Sequence, residues 1–267
     1  MKKLVPALAL LAISASALAN DQFSLTTGFD DSTGKYGNAT STNILYVPVT
    51  GQYETDNLTL KLTVPYISVS GPGGVIQGMG RVVSPAAPVG GSPRFGRPAG
   101  RGGVATTTNS GLGDVVASAG YTVYSANTLS IDFVGKVKFG TADANKGLGT
   151  GKNDYSAQID GYYMFRKATT LFATAGYKVV GAPTGITVNN VPYGMLGANQ
   201  KLSAATNVGV MLNYVQSATA AAANQEDVTV YASRKLSKNL KLMVNLLKGV
   251  SNGSPDYGGG VMITGAF

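Results

Sequence analysis

The stretch TLSIDFVGKVKF, residues 128–139, alternates between apolar and polar side chains with a period of two. One face carries Leu129, Ile131, Phe133, Gly135, Val137 and Phe139, and the other carries Ser130, Asp132, Val134, Lys136 and Lys138. Successive side chains of a strand point to opposite sides of a sheet, so the stretch predicts a strand with one apolar and one polar face. It is longer than the roughly 5–6 residues of an average soluble strand and reaches the roughly 9–11 that a tilted transmembrane strand requires.

Similar alternation predicts twelve strands in all. They cover residues 22–30, 42–55, 58–70, 111–125, 128–140, 154–165, 169–181, 191–202, 206–217, 226–236, 240–250 and 257–267. The connections between them are alternately short and long, which is the wiring of an outer-membrane barrel with tight periplasmic turns and longer outer loops. The predicted fold class is all-β: a transmembrane antiparallel up-and-down β-barrel of about twelve strands. A soluble all-β protein is the alternative, and the strand lengths argue against it.

Aromatic residues are predicted to form two belts on the outer face, one at each membrane interface. The belt near the short turns comprises Phe23, Tyr53, Tyr121, Tyr163, Phe165 and Phe267. The belt near the long loops comprises Phe29, Tyr66, Phe139, Tyr155, Tyr177, Tyr193 and Tyr214. Mainly aliphatic residues and glycine lie between the two belts, as expected of a wall that faces lipid.

Both termini carry features of export. Lys2 and Lys3 precede an apolar run of about ten residues, and Ala17-Leu-Ala19 offers a cleavage site, so residues 1–19 are predicted to be a secretory signal peptide. Residues 20–267 then form the barrel domain, exported through the periplasm to the outer membrane of a Gram-negative bacterium. The final Phe267 resembles the C-terminal insertion signal that the barrel assembly machinery recognises.

Composition argues against most catalytic chemistry. The chain has no His and no Cys, which excludes Ser-His and Cys-His machinery and thiolate or imidazole metal sites. We therefore expect no catalytic residues, no metal and no cofactor; an enzyme built on carboxylates alone is the remaining alternative. Although the net charge is +8, the arginines of residues 71–110 lie in one loop and no nucleic-acid recognition fold is readable. We expect no nucleic-acid partner.

The polar faces are predicted to line the lumen. A Lys or Arg that faces lipid at mid-depth costs roughly 2–4 kcal/mol, so charged strand residues should point inward. The predicted pore-lining residues are Glu54, Lys61, Asp114, Asp132, Lys136, Lys138, Asp154, Asp160, Lys178 and Lys241. Asp227 and Lys235 are expected on the same face. These side chains either form a charge-balanced path for solutes or pair in salt bridges that fill a closed barrel.

The long outer loop, residues 71–110, has an unusual composition. It contains Arg81, Arg94, Arg97 and Arg101 with no acidic residue, together with five prolines and many glycines. These arginines are predicted to set selectivity by drawing anions toward the mouth, since charge at a constriction governs which ions pass. The alternative is a loop that pairs with anionic lipopolysaccharide.

Three groups of motifs carry a resemblance to a known family. They are Leu62-Thr-Val-Pro-Tyr66, Ser110-Gly-Leu-Gly-Asp114, and Lys138-Phe-Gly-Thr-Ala-Asp143 followed by Gly147-Leu-Gly-Thr-Gly-Lys-Asn-Asp-Tyr155. Together they resemble the outer-membrane transporters associated with the meta-pathway of phenol degradation. The resemblance implies a porin-like barrel that passes small, often aromatic, organic solutes.

The sequence thus favours an outer-membrane channel for passive uptake of small organic solutes, aromatic or anionic. The alternative is a closed structural or adhesive barrel that displays outer loops. Expected partners are outer-membrane lipid, lipopolysaccharide, the barrel assembly machinery and a small-molecule solute. We expect a monomer.

A variant in which four arginines are all changed to Ser (Arg81, Arg94, Arg97 and Arg101) should have a lower anion preference, because four positive charges are removed from the channel entrance. Reversal potentials in planar bilayers under a salt gradient measure this preference. An unchanged reversal potential would remove the loop from any account of selectivity.

Overall fold

The computed structural model describes residues 21–76, 80–81, 106–183, 185–220 and 222–267. The predicted signal peptide lies outside the described residues, as does most of the 71–110 loop, including Arg94, Arg97 and Arg101. Within the part of the chain that the structure describes, no helix is long and apolar enough to cross a membrane.

The described chain is almost entirely β-structure. The strands are β1 Gln22–Gly34, β2 Thr42–Glu54, β3 Leu58–Gly71, β4 Val75–Ile76, β5 Gly80–Arg81, β6 Thr107–Leu112, β7 Val115–Ser125, β8 Leu129–Phe139, β9 Asp154–Arg166, β10 Thr169–Val179, β11 Val191–Lys201, β12 Thr206–Val215, β13 Gln225–Lys235, β14 Leu240–Gly249 and β15 Tyr257–Ala266. One 3₁₀ turn, Ala144–Lys146, lies in the connection between β8 and β9. β4 and β5 pair only with each other, so Arg81 belongs to a small separate hairpin.

The remaining strands form one closed antiparallel barrel. In the series β1–β3 and β7–β15 each strand pairs with the next, and β1 pairs with β15 from Ser24↔Ala266 to Thr33↔Tyr257 to complete the ring. β6 and β7 pair with successive parts of β3 and act as one crossing strand, which gives twelve. The predicted fold class, an antiparallel barrel of twelve strands, is confirmed, and most strand boundaries agree within two residues.

Regular pairing is interrupted at one height of the wall. Pro48 of β2 lies opposite Pro65 of β3, and neither can donate a ladder hydrogen bond. Thr27 donates to the Pro48 carbonyl through its hydroxyl at 2.9 Å, and the Gly113 amide donates to the Pro65 carbonyl at 2.8 Å. Gly113 separates β6 from β7, and a side chain there would overlap Ile67 and Pro65. This explains why the predicted fourth strand is divided in two.

The outer face is apolar along its whole circumference. Large hydrophobic side chains at alternate positions are exposed, among them Leu62, Leu196 and Leu246, the last with 67% of its surface accessible. Burial of such area normally stabilises a fold by about 25 cal/mol per Å², so an exposed belt of this size is suited to lipid and not to water.

The aromatic belts are arranged as predicted with one exception. Tyr53, Tyr121 and Tyr163 are exposed near the short turns, and Tyr155 and Tyr177 are exposed near the long loops. Phe267 packs on Phe23 at a ring distance of 6.2 Å, and its amide donates to the Phe23 carbonyl at 2.8 Å. The prediction for Tyr193 is wrong. Its hydroxyl donates to Gln158 on the inner face, because the odd positions of β11 face inward.

The closing seam can be tested with a disulfide, since the chain contains no Cys. The hydroxyl oxygens of Thr26 and Thr264 are 2.9 Å apart across β1 and β15. A Thr26→Cys/Thr264→Cys variant should oxidise readily and stay folded, because directly opposed residues have suitable Cα separation. Non-reducing gel mobility measures the cross-link. Thr26→Cys/Ser233→Cys, on strands that do not pair, should form none; equal cross-linking of both pairs would contradict the register.

Candidate solute pathway

The barrel register places the predicted lysines in a row across the inner face. Lys61 lies opposite Ser118, Ser118 opposite Lys136, Lys136 opposite Ser156, and Ser156 opposite Lys178. The row therefore alternates Lys and Ser over five neighbouring strands, from β3 through β10. Since strands are about 4.8 Å apart, successive lysines are anchored about 10 Å apart. The wall on this side presents evenly spaced positive charge to the lumen.

An acidic pair lies four residues further along the same wall. Asp132 of β8 is directly opposite Asp160 of β9. Asp160 is buried and accepts hydrogen bonds from Gln158 Nε2, at 2.7 Å to each carboxylate oxygen, and from the Thr174 hydroxyl at 2.6 Å. These donors stabilise its charge without a salt bridge. One oxygen of Asp132 is buried with no hydrogen-bond partner among the described residues.

Three further predicted residues form an ionic cluster where the wall meets the long loops. Lys138 Nζ is 2.7 Å from Asp114 Oδ2 and 3.4 Å from Asp154 Oδ2, and it donates to the Thr150 hydroxyl at 3.2 Å. Asp114 also accepts from the Ala142 amide at 2.9 Å, and Asp154 accepts from the Gly181 amide at 2.9 Å. The cluster thus ties the β8–β9 and β10–β11 connections to the wall.

Hydrophobic residues from the long loops pack inside the mouth of the barrel. Tyr36, Val75, Ala142 and Leu148 pack against Ile44 and Ile67 of the inner wall. A second cluster joins Val180, Val191 and Ala218. Burial raises the pKa of the Tyr36 hydroxyl above its ordinary value; a hydrogen bond from Ser32 opposes the rise and the charge of Asp256 adds to it. The loop end of the lumen is therefore narrowed by ordered, buried contacts.

The wall formed by β11–β15 has a different character. Met195, Met211, Met243 and Met262 all occupy inward positions, as their pairings show. Phe172, Tyr193 and Tyr231 also face inward, and a side chain on Gly197, Gly176 or Gly209 of the neighbouring strand would overlap their respective rings. The residues missed by sequence reasoning are these methionines and aromatic rings. Counting alternate residues from a polar inward residue would have identified them, but in β11 most residues of both faces are apolar or small, so the inward set is hard to recognise.

The two remaining predicted pore residues lie near the short turns. Glu54 is exposed and accepts from Gln52 Nε2 at 2.8 Å, and Lys241 lies opposite Lys235. All ten predicted residues therefore project from the inner side of the wall or join its ionic cluster, although whether they line a conducting path stays a prediction. Among the described residues, no group of three or more acidic side chains is arranged to hold a metal ion.

Part of the lumen is an open cavity of about 660 Å³. It lies below the loops along β12–β15 and β1, and Phe172 reaches it from β10. Its volume is in the range of small-molecule sites.

Among the solved structures with a similar fold are an outer-membrane channel and two porins. An outer membrane channel from Pseudomonas putida F1 superposes with a TM-score of 0.65 at 12% identity, over 94% of this chain and 97% of that chain. The KdgM porin in complex with disordered oligogalacturonate gives 0.52 at 11% identity, over 92% and 99%. The NanC porin gives 0.51 at 9% identity, over 91% and 98%. No family model and no curated protein matches the sequence.

The protein is an outer-membrane β-barrel. Its closed wall, its apolar outer face and its shared fold with these channels place it in the bacterial outer membrane. At such low identity the likeness establishes the fold alone.

The substitution Lys138→Met should destabilise the barrel and release the β8–β9 connection from its contact with the wall. Asp114 and Asp154, with side chains 12% and 4% exposed, would lose their shared cation. Removing one partner of a buried pair costs roughly 3–5 kcal/mol, and the 22% exposure of Lys138 brings our expectation to about 2 kcal/mol. The temperature at which the folded gel band converts to the unfolded band measures the loss. Lys136→Met is the matched control. An equal loss of stability in both variants would show that the ionic cluster at Lys138 does not stabilise the barrel.

Proposed function

We propose that the protein is a channel for the passive passage of small organic solutes across the outer membrane. The observation that carries the proposal is the sorting of side chains by the barrel wall. Apolar residues cover the outside, while charged and amide residues line a partly open interior. An inner wall of this kind is polar enough to stay hydrated, which a solute path requires.

The inferred solutes are small. Twelve strands enclose less space than the sixteen of general porins, and the loop residues reduce the opening further. The motif resemblance to transporters of the meta-pathway of phenol degradation supports solutes with an aromatic body, and the rings of Phe172 and Tyr231 in the cavity are compatible with this. The described inner wall carries both basic and acidic side chains, so we expect its own ion selectivity to be mild.

The proposal includes the setting of the channel. Lipid and lipopolysaccharide would surround the apolar belt, and the barrel assembly machinery would insert the chain through its C-terminal strand. One chain closes its own barrel, so a monomer suffices for transport. The role is non-catalytic.

The second candidate is a structural or adhesive barrel that displays its outer loops and whose lumen is closed to solutes. The two buried clusters at the mouth favour it. In that case the charged inner wall would serve mainly to hold the barrel together. Electrical conductance separates the two candidates.

Single-channel recording of the folded protein in planar bilayers tests the proposal. We expect discrete current steps with a small reversal potential under a salt gradient, because a charge-balanced wall discriminates weakly between ions. Heat-modifiable gel mobility of the same preparation confirms folding. Folded protein that gives no steps would contradict the channel and support the closed barrel.

A further inference from the structure

The 660 Å³ cavity has a lining unlike the rest of the lumen. Its apolar lining includes Met211, Met243, Leu247 and the rings of Phe172 and Tyr231. Thioethers and aromatic faces are polarisable surfaces that accept apolar groups of varied shape. The cavity is therefore built to hold an organic body of small-molecule size.

Three aspartates contribute to the cavity lining, Asp30, Asp31 and Asp227. Asp30 and Asp227 occupy inward positions, whereas Asp31 lies on the opposite face of β1. Asp30 accepts a hydrogen bond from Asn245 Nδ2 at 2.9 Å, and Asp227 accepts one from Asn213 Nδ2 at 2.7 Å. Thr229 also lines the cavity, and its hydroxyl donates to Asp227 at 3.4 Å. These donors are neutral, so they stabilise the carboxylates without cancelling their charge.

Neither Lys nor Arg is present among the described residues that line the cavity. The lysine row and the Lys138 cluster belong to the wall between β3 and β10, whereas Asp227 belongs to β13 and Asp30 to β1. The inner surface is thus divided: one wall carries the positive row, and the cavity on the other carries negative charge beside apolar surface.

We infer that this cavity is a binding subsite for organic cations, solutes that join an ammonium group to an apolar body. Either Asp30 or Asp227 would pair with the ammonium, since the register separates the two carboxylates by three strands and four residues. The ring of Tyr231 or Phe172 would add attraction through its negative face. The methionines would cover the apolar body. An organic anion would meet two like charges there, and a bare metal cation would leave the apolar surface without a partner.

This inference rests on the proposed channel function, because a lumenal subsite matters for transport only if solutes enter. Binding can nevertheless be measured without conduction. Isothermal titration of the folded protein, purified from membranes in detergent, with phenethylammonium, 2-phenylethanol and 3-phenylpropionate compares three charges on similar bodies. We expect phenethylammonium to bind at least about tenfold more tightly than the other two, the size of one charge-assisted hydrogen bond.

The double variant Asp30→Asn/Asp227→Asn keeps side-chain shape and removes both charges. It should weaken phenethylammonium binding by about tenfold or more and leave 2-phenylethanol within about twofold. Asp143→Asn/Glu226→Gln is the matched control, since it removes the same charge from positions outside the cavity lining, and it should leave all three affinities unchanged.

Equal affinity for the three compounds, or an unchanged phenethylammonium affinity in the Asp30→Asn/Asp227→Asn variant, would overturn the subsite. Such a result with normal current steps would leave the channel function intact. Selective binding without current steps would sustain the subsite and contradict the channel.

Discussion

Backbone hydrogen bonding within lipid is the constraint on which the rest of this structure depends. A strand that crosses the hydrocarbon core must pair on both edges, because no water is present to satisfy a free edge. The chain meets this demand by pairing β1 with β15 over almost their whole length. Where Pro48, Pro65 and Gly113 interrupt the ladder, a threonine hydroxyl and a displaced amide satisfy the carbonyls instead.

Closure in turn determines what lies inside. Once the register is set, every second side chain of each strand faces inward, so the sequence determines which side chains line the lumen. The two sides of the lumen differ for this reason alone. Strands β3 and β7–β10 contribute the lysine row, the acidic pair and the ionic cluster at Lys138. Strands β11–β15 and β1 contribute methionines, aromatic rings and two carboxylates that accept hydrogen bonds from amide side chains. Loop contacts then narrow the mouth above both walls.

The sequence predicted most of the barrel because period-two alternation is a local signal, strong in segments such as 128–139. Charged residues were assigned to the inner face because charge is costly in lipid, and the register agrees. Tyr193 was misassigned because most of β11 offers apolar and small residues on both faces, and its one charged residue, Lys201, is the last of the strand. The ionic cluster at Lys138 could not be predicted from the sequence. Its partners Asp114 and Asp154 are brought together only when the barrel and its loops are folded.

Solvent accessibility at two adjacent positions tests the central claim, that the wall separates a hydrated lumen from lipid. Ser118 lies in the lysine row and Ala119 lies on the exposed outer face of the same strand. Each can be changed to Cys in a chain without native thiols. A charged methanethiosulfonate reagent should modify Ser118→Cys in the folded protein in bilayers and leave Ala119→Cys unmodified. Modification of Ala119→Cys alone would show that the faces are reversed, and no modification of Ser118→Cys would contradict a hydrated path.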